Sequence, residues 1–142
     1  MKAKTTYPSL LLMLLVSCNN KTNGNFNIKP LVGTWEATIK GELSDIAKFI
    51  SIAPDNSNYV TVEIIASFMT ITVNDSTAGW YEFDEDGIVA TYNPLEQHLS
   101  YTPEFTRKYN YTVEGNTIVF SKCTVDRCTD ISSPFSLTLK PQ

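Results

Sequence analysis

The chain has one histidine (His98), three cysteines and six glycines among its 142 residues, and its longest stretch of consecutive apolar side chains is seven residues. Each shortage excludes something. Serine and cysteine hydrolases need a nucleophile beside a general base, usually histidine. His98 is the sole such base, it sits in the loop from Asn93 to Pro103, and no serine carries a nucleophile-elbow sequence. The glycines form neither a phosphate-binding loop nor a dinucleotide fingerprint, so no cofactor is expected. Eleven basic residues are scattered, with Arg107-Lys108 the closest pair. Nucleic-acid binding, which releases counterions through a clustered set of Lys and Arg, is therefore not expected. The densest carboxylates, Glu82, Asp84, Glu85 and Asp86, precede Gly87. They lack the downstream glutamate and remaining spacing of a calcium loop and read as a charged hairpin tip, with no metal. The chain reads as non-enzymatic.

What is present begins with a leader. Lys2 and Lys4 precede the apolar run Leu10 to Val16, Ser17 is small, and Cys18 follows. Seven residues are far fewer than the roughly 20 needed to span a bilayer core, so this is no transmembrane helix. Pro8 interrupts a longer helix on its N-terminal side. Leu15-Val16-Ser17-Cys18 resembles the lipobox of a bacterial lipoprotein signal. The resemblance implies cleavage after Ser17 and acylation of Cys18 on its sulfur and its new amino group. Several acyl chains of the palmitate kind, at about 0.8 kcal/mol per buried methylene, would hold it in a membrane. The implied location is a bacterial cell envelope, at the outer membrane. Loss of residues 1–17 leaves 9 basic against 15 acidic side chains and moves the formal charge from −4 to −6.

Residues 18–30 carry Asn, Gly and Lys with little to bury, and read as a flexible tether. Residues 31–142 suffice for one modest core. With Cys18 assigned to lipid, Cys123 and Cys128 remain. A pair in an oxidising compartment usually bridges, and Thr124 to Arg127 suits a four-residue hairpin loop between them. Zinc is the alternative, but it wants four ligands and His98 is the only histidine.

From Gly33 onward, short β-branched and aromatic runs alternate with turn residues, the pattern of an all-β domain. Gly33 to Lys40 places Trp35, Ala37 and Ile39 on one face. Tyr59 to Ser67 and Phe68 to Val73 follow, then a turn at Asn74-Asp75-Ser76. Ala78 to Tyr92 reads as a hairpin turning at Asp86-Gly87, since both residue types tolerate positive φ. Phe105 to Tyr111 and Thr117 to Cys123 form another through Glu114-Gly115-Asn116, and Phe135 to Leu139 closes the domain. The segment Cys128 to Ile131 should pair back if the cysteines lie across a hairpin. Leu43, Ile46, Ala47 and Ile50 recur at helical spacing and predict a short helix near residues 43–50 with Ser44 or Asp45 near its start.

Leu31-Val32-Gly33-Thr34-Trp35 resembles the Gly-x-Trp opening of lipocalin-like domains. Phe83 to Gly87 and Tyr109 to Ile118 are similar to later elements of small lipocalin-like lipoproteins from Bacteroidetes-type bacteria. The resemblance implies an antiparallel meander of about eight strands, closed or nearly closed into a small barrel. Gly33, Trp35 and Lys140 would close one end, Lys140 standing where the family has a basic residue over the indole. Such a barrel either holds one small ligand or is filled by side chains. The first alternative implies an apolar or amphipathic ligand contacted by Tyr59, Trp80, Arg107, Tyr109 and Phe120. The second implies a structural or protein-interaction module of an envelope complex, and 14 aromatic residues from Leu31 onward could fill the interior.

Overall fold

A computed structural model describes residues 25–52, 54–92, 107–125 and 128–142. Cys18, His98 and Phe105 lie outside them. Eight strands run in chain order: β1 Gly33–Lys40, β2 Val60–Ile65, β3 Phe68–Val73, β4 Ser76–Phe83, β5 Ile88–Tyr92, β6 Arg107–Glu114, β7 Thr117–Ser121 and β8 Phe135–Pro141. Each pairs antiparallel with the next, and β8 returns to β1 to close the barrel. The fold is all-β, a small lipocalin-like barrel with one short helix. Closure leaves no edge strand running the length of the sheet.

Local chemistry sets the turns. Asn74 and Asp75 both take positive φ, 47° and 66°, as a two-residue hairpin turn between β3 and β4 requires. Asp84 accepts the backbone N–H of Asp86 and Ile88 through Oδ1 at 2.9 and 2.7 Å, which organises the β4–β5 turn around Gly87. Alternation then sends one side of each strand inward, interrupted in β4, where the register with β3 shifts and Ala78 and Gly79 are both buried. In β6, Tyr109, Tyr111 and Val113 are buried; in β8, Phe135, Leu137 and Leu139 are.

The two ends of the barrel differ. The base carries the β2–β3, β4–β5 and β6–β7 turns, and residues 25–32 cross it, with a short 3₁₀ turn at Lys29–Leu31. The opposite rim carries α1, Leu43–Phe49, between β1 and β2. The buried face of α1 is rotated from the predicted stripe: Asp45, Ile46 and Phe49 are buried, whereas Leu43 and Ala47 are exposed. A seven-residue helix that plugs a round opening points its inner side down the barrel axis, and that choice is made by the rings it meets.

Cys128 to Ile131 forms no strand. Cys128 makes only an isolated parallel bridge to Lys108, and β7 pairs directly with β8. The expected cysteine hairpin is replaced by a loop folded back over the top of β6.

Close approach explains one glycine. A β-carbon at Gly79 would overlap the Tyr81 hydroxyl and lie 2.7 Å from its Cζ. That hydroxyl is buried and donates to the Phe49 carbonyl at 3.0 Å, so it cannot step aside. Gly79→Ala should cost about 1–3 kcal/mol through overpacking, read as a lower urea midpoint with an unchanged slope.

Candidate functional site

The interior is the natural place to look for a ligand, and at the upper end Phe49 occupies it. Its ring centroid lies 4.5 Å from those of Tyr81 and Phe120, 4.9 Å from Phe135 and 5.3 Å from Tyr109. Phe120 and Phe135 stack at 5.1 Å, and all five rings are buried. These are packing distances for aromatic rings. Met69, Ile71, Ile118, Leu137 and Leu139, each at most 1% exposed, line the wall as well. The side chain delivered by α1 thus sits where a ligand ring would.

Polar contacts hold α1 down. Asp45 is fully buried and accepts the Ser132 hydroxyl at 2.7 Å, the Ser132 N–H at 3.1 Å and the Ser133 N–H at 3.2 Å. The Ser132 hydroxyl bond is the chief cause that lowers its pKa; the two N–H bonds and Lys48 assist, and burial opposes them. Lys48 donates to the Asp130 carbonyl at 2.9 Å, and Arg107 donates to the Lys48 carbonyl at the helix C-terminus, where a cation is favoured. Burial pushes Tyr109 up to about 12, against the opposing pull of Thr129 and Arg107. Its hydroxyl is buried without a hydrogen-bond partner of good geometry. At this end the site is a latched plug.

The base is closed by other means. The Trp35 indole N–H donates to the Leu31 carbonyl at 2.8 Å, fixing the 3₁₀ turn under the first strand. Gly33, at φ 144°, lies against the same ring. The Tyr111 hydroxyl reaches the Phe26 carbonyl at 2.7 Å, and burial followed by the charges of Asp84 and Glu85 raises it to about 12. Lys140 does not cover the indole. In the β1–β8 register it opposes Glu36, while Trp35 opposes Pro141, so strand alternation places Lys140 on the outer face. No cation–aromatic contact forms there among the described residues.

The five expected ligand contacts separate. Tyr109 and Phe120 face inward and pack on Phe49. Trp80 points outward, opposite Thr70 on one side and Tyr92 on the other. Tyr59 is about half exposed and donates to Glu36 Oε1 at 3.2 Å. Arg107 is at the rim, holding the helix. Cys123 and Cys128 are joined as a disulfide, with Cα atoms 5.6 Å apart. Sequence reasoning missed Phe49 and Asp45 as functional parts. The signal available was a carboxylate and an aromatic four residues apart on a predicted helix, which places them on one face.

Two open clefts of about 610 Å³ each are found among the described residues, both bordered in part by core side chains. One runs along the upper half of β1, where Ala37 to Lys40 pair with β8 but not with β2, and is walled by Leu43, Ile46, Pro54 and Val60. The other lies at the base between residues 25–29 and the turns at Ala66-Ser67 and Asp84-Glu85. Among the described residues, no group of three or more His, Cys, Asp or Glu is placed to hold a metal ion, and no helix is long and apolar enough to cross a membrane. No family model, curated protein or solved structure matches this chain.

Proposed function

We propose that the protein is a lipid-anchored component of a bacterial cell envelope that works through its outer surface as an interaction module, with a filled barrel as its rigid body. The observation that carries this reading is Phe49, whose ring stands at the centre of four others where a barrel ligand would have to lie. The leader ending at Cys18 supports the anchor, and the absence of a paired nucleophile and base in the sequence supports a non-catalytic role. An outward pair, Trp80 opposite Tyr92, with Tyr92 donating to Glu82 at 3.0 Å, gives the outer wall an aromatic surface rimmed by charge.

Native mass spectrometry of protein purified from its own host tests both parts. The expected species is the chain from Cys18 onward with acyl mass on that residue and no further bound molecule. Cys18→Ala should move the protein from the membrane fraction to the soluble one. A stoichiometric small molecule released only on unfolding would overturn the filled interior.

A second reading is supported by the cleft along β1. Its volume suits a small ligand, its walls mix Ile46, Leu43 and Val60 with Thr38, Asn56 and Asn58, and the unpaired half of β1 offers backbone donors and acceptors. A small amphipathic molecule bound there would co-purify and be released by native-like competition without unfolding.

A further inference from the structure

The base of the barrel carries a row of apolar side chains that the core does not use. Ile65 and Phe68 oppose each other across the β2–β3 hairpin and are 61% and 54% exposed. Val32 is extended, 49% exposed, and stands one step beyond the Gly33–Ile64 pair, which brings it beside Ile65 on the same outer face. The turn between Ile65 and Phe68 is tight, with Ala66 at φ 54°, so the two large side chains sit at the tip of a stiff ribbon.

The chain enters the fold at this same end. The Val113 N–H near the foot of β6 donates to the Asn25 carbonyl at 2.8 Å, and residues 25–32 cross the base to reach β1. Seven residue steps separate Cys18 from Asn25, a reach of at most about 25 Å fully extended. A lipid anchor at Cys18 therefore holds the base near the bilayer, and the opposite rim could approach it only with the tether stretched along the barrel wall.

We propose that the row Val32, Ile65 and Phe68 rests in the interfacial region of the bilayer that holds the anchor, and so orients the barrel with α1 and the disulfide loop facing away. This deepens the reading above and rests on its anchor at Cys18. The lipid chemistry follows from charge. Glu63 and Glu82 flank the row on the same outer face, and Asp84 and Glu85 occupy the neighbouring turn. A zwitterionic surface of no net charge is the fitting occupant, and anionic lipid repels this end. A short apolar row binds weakly alone, but the tether makes the contact intramolecular and raises its effective concentration.

The test supplies the tether chemically, so that its outcome does not depend on natural acylation. A chain beginning at Cys18 keeps every described residue of the barrel, and its Cys18 thiol is coupled to maleimide-bearing phosphatidylcholine vesicles containing brominated lipid. Phe68→Trp and, at the far rim, Val125→Trp (Val125 is 47% exposed) are compared as difference spectra against the unsubstituted chain. The added indole at Phe68 should lose most of its emission to bromine quenching and that at Val125 little; replacing part of the phosphatidylcholine by anionic lipid should weaken the effect. Equal quenching at both positions, or none at Phe68, overturns the proposal. So does a blue shift of Phe68→Trp that grows with protein concentration in the absence of vesicles, which would assign the row to a second copy. Failure of the anchor reading is seen separately, as a missing acyl mass on Cys18 in host-purified protein.

Discussion

Phe49→Ala should lower the stability of the barrel by about 3–5 kcal/mol, the range for emptying a large aromatic side chain from a packed core. The contacts explain the size. The ring lies within 5.3 Å, centroid to centroid, of four buried rings, and no small shift of one neighbour fills a space that four of them border. The loss is a large share of the roughly 5–15 kcal/mol that holds a typical domain folded. Urea denaturation followed by tyrosine and tryptophan emission measures it. The same variant separates the two uses of a barrel. If the wild-type interior is filled, the new void is dry and apolar, and small aromatics such as benzene should raise the melting temperature of Phe49→Ala while leaving the wild type unmoved. Stabilisation of the wild type by the same probe would mean that space exists beside Phe49, and a loss below about 1 kcal/mol would mean that α1 is a loosely seated lid rather than a core element.

That distinction was not legible in the sequence, although the strands were. Alternation over Phe105 to Tyr111 and Phe135 to Leu139, and turn residues at Asn74-Asp75 and Gly87, arise from local physics, and β6 (Arg107–Glu114) and β8 formed over the described part of those patterns. Closure of the sheet follows the implied meander. What fills the sheet does not, because inward and outward are relations among strands. Trp80 and Tyr81 are adjacent aromatics, and only the register with Tyr92 and Thr70 decides that the tryptophan faces out. Phe49 lay off the stripe of Leu43, Ile46, Ala47 and Ile50, since a hydrophobic count gives Leu43 the same weight as Phe49 and cannot know that the helix ends over an opening lined with rings. The cysteine loop failed for a related reason. Five positions of separation fit a hairpin or a compact loop equally, and the pairing of β7 with β8 leaves no place for a strand between them.

Asp45 supplies the second large effect, and its sign is set by pH. Its carboxyl is held below the ordinary carboxylate range of 3.8 by the Ser132 hydroxyl first, then by the N–H groups of Ser132 and Ser133 and by Lys48, with burial pulling the other way. A group whose pKa is lower folded than unfolded contributes stability above its unfolded pKa and loses it as pH falls through the folded value. The latch of α1 is therefore at full strength at neutral pH and weakens from about pH 4 downward. Asp45→Ala leaves two loop N–H groups without their acceptor, and the variant should show a clear drop in urea midpoint at neutral pH, the second largest after Phe49→Ala. The gap between variant and wild type should narrow below about pH 4 by the part that the carboxylate charge contributes, while the part that comes from packing and from N–H groups a neutral carboxyl still accepts persists. Asp130, also lowered, by its exposed pair with Lys122 at 2.9 Å, should respond far less to substitution, because solvent screens that pair. A gap that stayed constant across the acid range would assign the loss to packing alone. A narrowing at low pH assigns that part of the loss to the charge that ties the plug to the loop leading into β8, and with it a means by which the barrel keeps its own phenylalanine inside.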